Sequence, residues 1–174
     1  MRLIDGITSA ALLLGAAAPA HALCSYNGVD NAKTTIREEF HDSKWVVDVL
    51  LIAADNLWSD EDESWTLYHV KTLRSFKGKA PPRLDVFTYR DSGGFYLDKG
   101  MSNDLEGEYL LFLSPATQKL PRVAHGALEV NYPCGQSGPW AKLSRGQLDA
   151  LRAASKRRWA APWYVSRARA RGLG

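Results

Sequence analysis

Cysteine is nearly absent from this chain: Cys24 and Cys134 are the two cysteines among 174 residues, so at most one bridge can form within it. Histidine is almost as scarce. Beyond residue 22 only His41, His69 and His125 remain, and none stands at a His-x-His or His-x-x-x-His spacing, which leaves a zinc site built from local ligands without support. No apolar run approaches the roughly 20 residues of a bilayer-spanning helix; Ile7 to Ala18 is the longest. There is no internal repeat. The Gly-x-Ser-x-Gly spacing of a nucleophile elbow is missing, and Gly135-Gln136-Ser137-Gly138 reads instead as a turn after Cys134. The acidic run Asp60-Glu61-Asp62-Glu63 lacks the alternation and glycine of a calcium loop and reads as a solvated hairpin tip.

What is present starts with an export signal. Arg2 opens a weakly basic end, an apolar run follows, and Ala20-His21-Ala22 has the small-x-small form of a signal peptidase site. Asp5 is unusual there, and an uncleaved anchor is the alternative reading. Leu23 stands where a lipoprotein pattern needs a small residue, which argues against a lipid anchor. Cleavage after Ala22 would leave residues 23 to 174, a length suited to one domain with its own core. Composition agrees, since 45% hydrophobic and 24% charged residues describe an ordinary globular protein. Export permits a disulfide, and the even count then pairs Cys24 with Cys134, against the alternative of two lone thiols. In the chain-entropy model, closing a loop of about 100 residues is worth up to ~4.7 kcal/mol.

Charge is unevenly spread behind a net value of +3. Residues 23 to 140 hold 12 Lys and Arg against 17 Asp and Glu, whereas residues 141 to 174 hold 9 against 1. The C-terminal segment is therefore a separate electrostatic object.

Along the chain, Ser25 to Asn31 is polar and turn-like, and Ile36 and Phe40 fall at helical spacing within a helix expected over Ala32 to Phe40. Trp45 to Ala53 is dense in β-branched and aliphatic residues and predicts a strand. Asp48 interrupts it, either as a buried partner for a cation or, the reading the pattern favours, on the polar face of a half-buried strand. Trp65 to Leu73 alternates as a partly exposed antiparallel strand would. Gly78 and Pro81-Pro82 force a turn before an extended Leu84 to Tyr89. Tyr109 to Leu113 and Leu128 to Asn131 supply a fourth and a fifth strand. Five strands separated by turn signals suggest a closed or nearly closed barrel, with a two-sheet sandwich close behind. Ser144 and Gln147 form a capping-box pattern, and Leu148, Leu151 and Trp159 follow on one side of a helix that Pro162 should stop.

The order of these pieces, from Cys24 to Trp140, resembles the netrin-like domain, the module of the tissue inhibitors of metalloproteinases, as it occurs in exported bacterial proteins. The resemblance is carried by the early cysteine, the WVVDVLLIA strand, the LRSFKGKAPPRLDV segment, Gly93-Gly94-Phe95, the GEYLLFL strand and the NYPCG segment around Cys134. It implies a mainly β fold: a five-stranded OB-like barrel over residues 23 to 140, flanked by N- and C-terminal helices, with the N-terminal segment tethered by Cys24 and Cys134. Two departures stand out. Gly93 occupies a position where such domains often carry a further cysteine, and Leu23 precedes Cys24, whereas the animal inhibitors begin at the cysteine that chelates the zinc of their target.

No set of residues offers acid, base and nucleophile with mutual support, so the expectation is a non-enzymatic, exported binding module that needs no cofactor or metal. An enzyme would require folding to bring His69 or His125 beside a carboxylate in a pocket. Leu23 and Cys24 would contribute to binding a protein partner. In the basic segment 141 to 174, Arg157, Arg158, Trp159 and Trp163 interleave cations with rings. That pattern suits an anionic membrane surface or polymer, or a helix packed on the barrel with its charges in water. Export argues against nucleic acid as the partner.

Overall fold

The densest aliphatic stretch of the chain opens strand β1, Trp45–Leu57, which pairs on one side with β2, Trp65–Lys77, and on the other with β4, Glu108–Pro115. The computed structural model describes residues 24–59, 63–91, 93–117 and 119–159. Strand β3, Arg83–Tyr89, adds to β2, and the short β5, Leu128–Val130, lies between β3 and β4. The order β4-β1-β2-β3-β5 closes because β5 also pairs with β4. Every pairing is antiparallel except β3 with β5, where Val86 faces Leu128. The protein is thus mainly β, a closed five-stranded mixed barrel of OB-like form with two helices, as expected.

Closure needs β1 to bend. Its pairing with β2 shifts register between Val46 and Val47, between Asp48 and Val49, and between Leu51 and Ala53. Extra residues at such points raise the local twist and turn the strand around the core. Inside the barrel, Val47, Val49 and Leu51 meet Tyr68, Val70, Leu97, Tyr109 and Leu111. Outside it, Val46, Leu110 and Phe112 pack under Ile36 and Phe40 of helix α1, Ile36–Asp42, and Leu151 of helix α2, Arg145–Trp159. Both faces of β4 and of the first half of β1 are therefore covered, which is why these stretches read as nearly continuous apolar runs.

Two expectations need correction. The favoured place for Asp48, on a half-exposed polar face, fails because that face lies under the helical layer: its side chain is fully buried and its Oδ2 meets Arg74 Nη2 at 2.6 Å. Helix α1 starts at Ile36 instead of Ala32, because Thr35 and Glu38 form a capping box that fixes its first turn. All the longer strands also extend past their expected ends. The Ser144–Gln147 box is present at the start of α2. The acidic tip is described only at Glu63, and residues 1–23 and those after Trp159 lie outside the described residues.

The polar Ser25 to Asn31 stretch is a small hairpin, Ser25–Tyr26 against Val29–Asp30, turning through Asn27 and Gly28. Both turn residues have positive φ, 50° and 78°, the backbone that a two-residue hairpin loop demands and that Asn-Gly supplies. Among the described residues no helix is long and apolar enough to cross a membrane.

Candidate functional site

Cys24 and Cys134 are joined in a disulfide that spans 110 residues of sequence. Cys24 is buried, and its carbonyl accepts a hydrogen bond from the Asn31 amide at 2.6 Å, closing the hairpin. The hairpin is fastened again where the Tyr26 hydroxyl donates to Asp42 of α1 at 2.5 Å and the Tyr26 ring packs on Tyr132 at 5.0 Å. That hydroxyl, with His41 beside it, holds the Asp42 carboxyl below its usual range. Cys24 is thus held through both its sulfur and its carbonyl. Leu23 and Trp163 lie outside the described residues; Arg157, Arg158 and Trp159 occupy the last turn of α2, with side chains outside the description.

The histidines divide sharply. His125 is exposed, and His41 is bound to its neighbour Asp42. His69, by contrast, clips three strands: its Nδ1 lies 2.7 Å from Asp85 of β3 and its Nε2 lies 3.0 Å from Asp55 of β1. Two carboxylates facing both ring nitrogens favour the doubly donating imidazolium. The His69 pKa is accordingly raised, chiefly by the hydrogen bond to Asp55, with partial burial opposing and Asp85 adding. This places a histidine beside carboxylates at a shallow pocket, the arrangement an enzyme reading would need. Its other walls are Ile52, Val70, Arg83 and Leu84, so no hydroxyl or thiol nucleophile lines it, and neither imidazole nitrogen is free to act as a base.

A more developed site stands at the rim of the barrel. Arg90, just past the end of β3, is 9% exposed and spends its donors on four side chains. Nε donates to Thr66 at 2.7 Å, and Nη2 lies 3.0 Å from the Tyr68 hydroxyl and 3.1 Å from the Asn103 carbonyl oxygen. Nη1 and Nη2 both reach the Asp98 carboxylate. The Tyr68 hydroxyl also receives the Leu97 amide, so the segment running through Leu97 to Asn103 is bonded down onto β2. That segment carries a two-residue ribbon, Asp98–Lys99 against Ser102–Asn103. Aromatic rings cover the guanidinium on its open sides, Tyr96 at 4.6 Å and Trp58 at 5.1 Å.

Trp58 stays 67% exposed while doing so, and Met101, at the tip of the ribbon, is fully exposed. Both line one cleft, whose polar floor is Asn56, Arg90, Asp98 and Asn103. These residues carry little local signal in the sequence. Trp58 sits in a loop beside an acidic run, and nothing local links Arg90 to Asp98 and Asn103, 8 and 13 residues on. A tryptophan just before the acidic run is the one feature of the cleft that stands out in the sequence.

Fold and sites together define a disulfide-bonded, closed β-barrel with a hydrogen-bonded polar cleft bearing apolar lips. The chain matches no family model, and no curated protein matches it significantly.

Proposed function

We propose that this protein is an exported, non-enzymatic binding module of netrin-like type, and that it grips a protein partner through the rim cleft. One observation carries the reading: Trp58 and Met101 stand exposed on a single cleft whose floor is already tied together by the Arg90 hydrogen bonds. Large apolar side chains left in water gain by burial, and aromatic residues, Met and Arg are the types enriched where proteins meet. A floor ordered before binding adds no new ordering cost, so the affinity comes from covering the lips. The disulfide supports the exported setting. The partner segment is extended, with an apolar anchor for Trp58 and polar groups for the Asp98 and Asn103 edge.

The test compares the oxidised full chain with Trp58→Ala and Met101→Ser variants in pull-downs from the envelope fraction of the source cell. A partner held by the parent chain and lost from both variants supports the cleft. Equal recovery by all three would sink it.

A second reading has its own observation. Along α2, Leu151 is buried against α1 while Arg145, Arg152 and Lys156 stay exposed, so the helix presents a basic outer face that leads into the basic C-terminal segment. That arrangement suits an anionic membrane or polymer. Removal of residues 141 to 174 should abolish binding to anionic vesicles, and binding by the parent chain should weaken as salt rises; equal vesicle binding by both forms would exclude this reading.

A further inference from the structure

Helices α1 and α2 lie side by side on the barrel, and the groove between them has a volume of about 460 Å³, within the ~300–1,000 Å³ typical of small-molecule sites. Its apolar wall is the Phe40 ring with Ala150, Ala153 and Ala154, whose i, i+3, i+4 spacing places three methyl groups along one side of α2. Larger residues there would fill the space. The ionisable groups of the rim are all basic: Arg37, His41 and Lys77.

These three basic groups differ in what they have left to give. The Lys77 ammonium donates to the Phe40 and His41 carbonyls, both at 2.6 Å, and so ties the end of β2 to the C-terminus of α1. His41 is bound to Asp42. Arg37 is exposed and holds no hydrogen bond or ion pair among the described residues. Nearby carboxylates are occupied elsewhere: Glu38 caps the start of α1, Asp42 receives Tyr26, and Asp149 pairs with Arg152. An apolar channel with a free guanidinium at its edge is complementary to a ligand that is a hydrocarbon along its length and an anion at one end. A neutral lipid would leave Arg37 without a partner, and a protein helix would need a contact surface several times larger than this groove provides.

We infer that the α1–α2 groove binds a long-chain fatty acid, with its chain along the alanine wall and its carboxylate on Arg37. Carboxylate and guanidinium meet through two parallel hydrogen bonds, the strongest pairing open to either group.

The experiment titrates the oxidised full chain with dodecanoate, dodecyl maltoside and dodecyltrimethylammonium, each below its micelle threshold, and follows the alanine methyl signals of α2 by NMR. Saturable dodecanoate binding that moves Ala150, Ala153 and Ala154, with at least about tenfold weaker binding of the other two amphiphiles, is the expected result. Arg37→Glu should weaken dodecanoate about tenfold or more and leave the maltoside unaffected. Ala153→Trp, at an exposed position, should block the groove while the thermal midpoint shows that the fold persists. Equal affinities for the three amphiphiles, or an Arg37→Glu variant that binds as the parent does, would overturn the inference. So would signals that move around Trp58 instead, uptake seen only on anionic vesicles, or binding that emerges only after residues 160 to 174 are removed, which would assign the groove to the chain's own C-terminal segment.

Discussion

The Arg90 guanidinium and the Asp98 carboxylate form a two-point ion pair at the barrel rim, with Arg90 9% exposed and Asp98 20% exposed. The same guanidinium bonds Thr66 and Tyr68 of β2, so the segment that carries Asp98 is fastened to that strand. Removing one member strands the other in a largely dry site, a loss of about 3–5 kcal/mol for a buried pair.

Arg90→Ala should accordingly lower unfolding stability in urea by about 3 kcal/mol, the lower end because Asp98 keeps some water. Arg90→Lys should restore less than half of that, since one ammonium cannot reach Thr66, Tyr68, Asp98 and Asn103 together. A change below about 1 kcal/mol for Arg90→Ala would show that the pair does not organise the rim.

His69 makes the barrel sensitive to pH in a defined direction. Its folded pKa is raised above the ordinary 6.5, so its contribution is complete below that value and is lost as pH rises through the raised one. The urea midpoint should fall as pH climbs from 6 toward 8, and His69→Gln should flatten this part of the profile. Asp55→Asn and Asp85→Asn should each reduce the fall, Asp55→Asn more, because its hydrogen bond is the largest cause of the shift. A parent profile that stays level across this range would contradict the clip.

Asp48 and Arg74 give a pH-dependent mutant effect. Burial raises the Asp48 carboxyl to about 6, with Arg74 lowering it and Glu108 raising it. A group so raised contributes stability that is lost as pH rises from about 4 through 6. In Arg74→Ala the Asp48 carboxyl, without Arg74 to lower it, is pushed higher still, so at pH 7 the variant must bury an unpaired charge or take up a proton, whereas at pH 4.5 the acid is neutral with or without Arg74. The cost of Arg74→Ala should be clearly larger at the higher pH than at the lower, by chemical denaturation at both values. Equal costs would show that the loss comes from the Arg74 guanidinium stacked on Trp140, 4.5 Å away, and not from its pairing with Asp48.

Glu39 and Gly135 bind α1 to the disulfide loop. Glu39 is fully buried, and its Oε1 accepts from the Gln136 amide at 2.8 Å and from the Thr34 hydroxyl. A Cβ at Gly135 would overlap that oxygen. Gly135→Ala should destabilise by about 2 kcal/mol through overpacking, with thermal melts as the check. Burial raises the Glu39 pKa, so its contribution also falls as pH rises above the ordinary 4.5. Glu39→Gln should therefore gain on the parent chain between pH 5 and pH 7; a constant difference would show that Glu39 does not titrate there.

Local patterns exposed much of the architecture. The WVVDVLLIA stretch reads as a strand because branched and aliphatic side chains fit a pleated, packed surface, yet Ala54 to Leu57 continue it with Asp55 and Asn56, poor strand formers held by pairing with Leu67 and Thr66. In β2 the alternation is visible, but its inward members are Thr66, Tyr68 and Val70, and the barrel side includes a threonine that no hydrophobic ranking would choose. Thr66 is buried there because its hydroxyl serves Arg90 and Asn56. The Thr35–Glu38 box was written in the chain and would have set the start of α1, whereas the rim cleft had no comparable local sign.

By itself, then, the sequence determined the count and order of the strands, the single pairing open to two cysteines and the start of α2. Those depend on neighbours in the chain: side-chain branching, turn residues, caps and an even number of thiols. Only the tertiary structure decided that Asp48 is buried under Arg74, that His69 joins three strands, and that Arg90 underlies an exposed Trp58. Each of those rests on residues brought together by closure of the barrel, and burial, which sets the strength of their charges and hydrogen bonds, is a property of the packed whole.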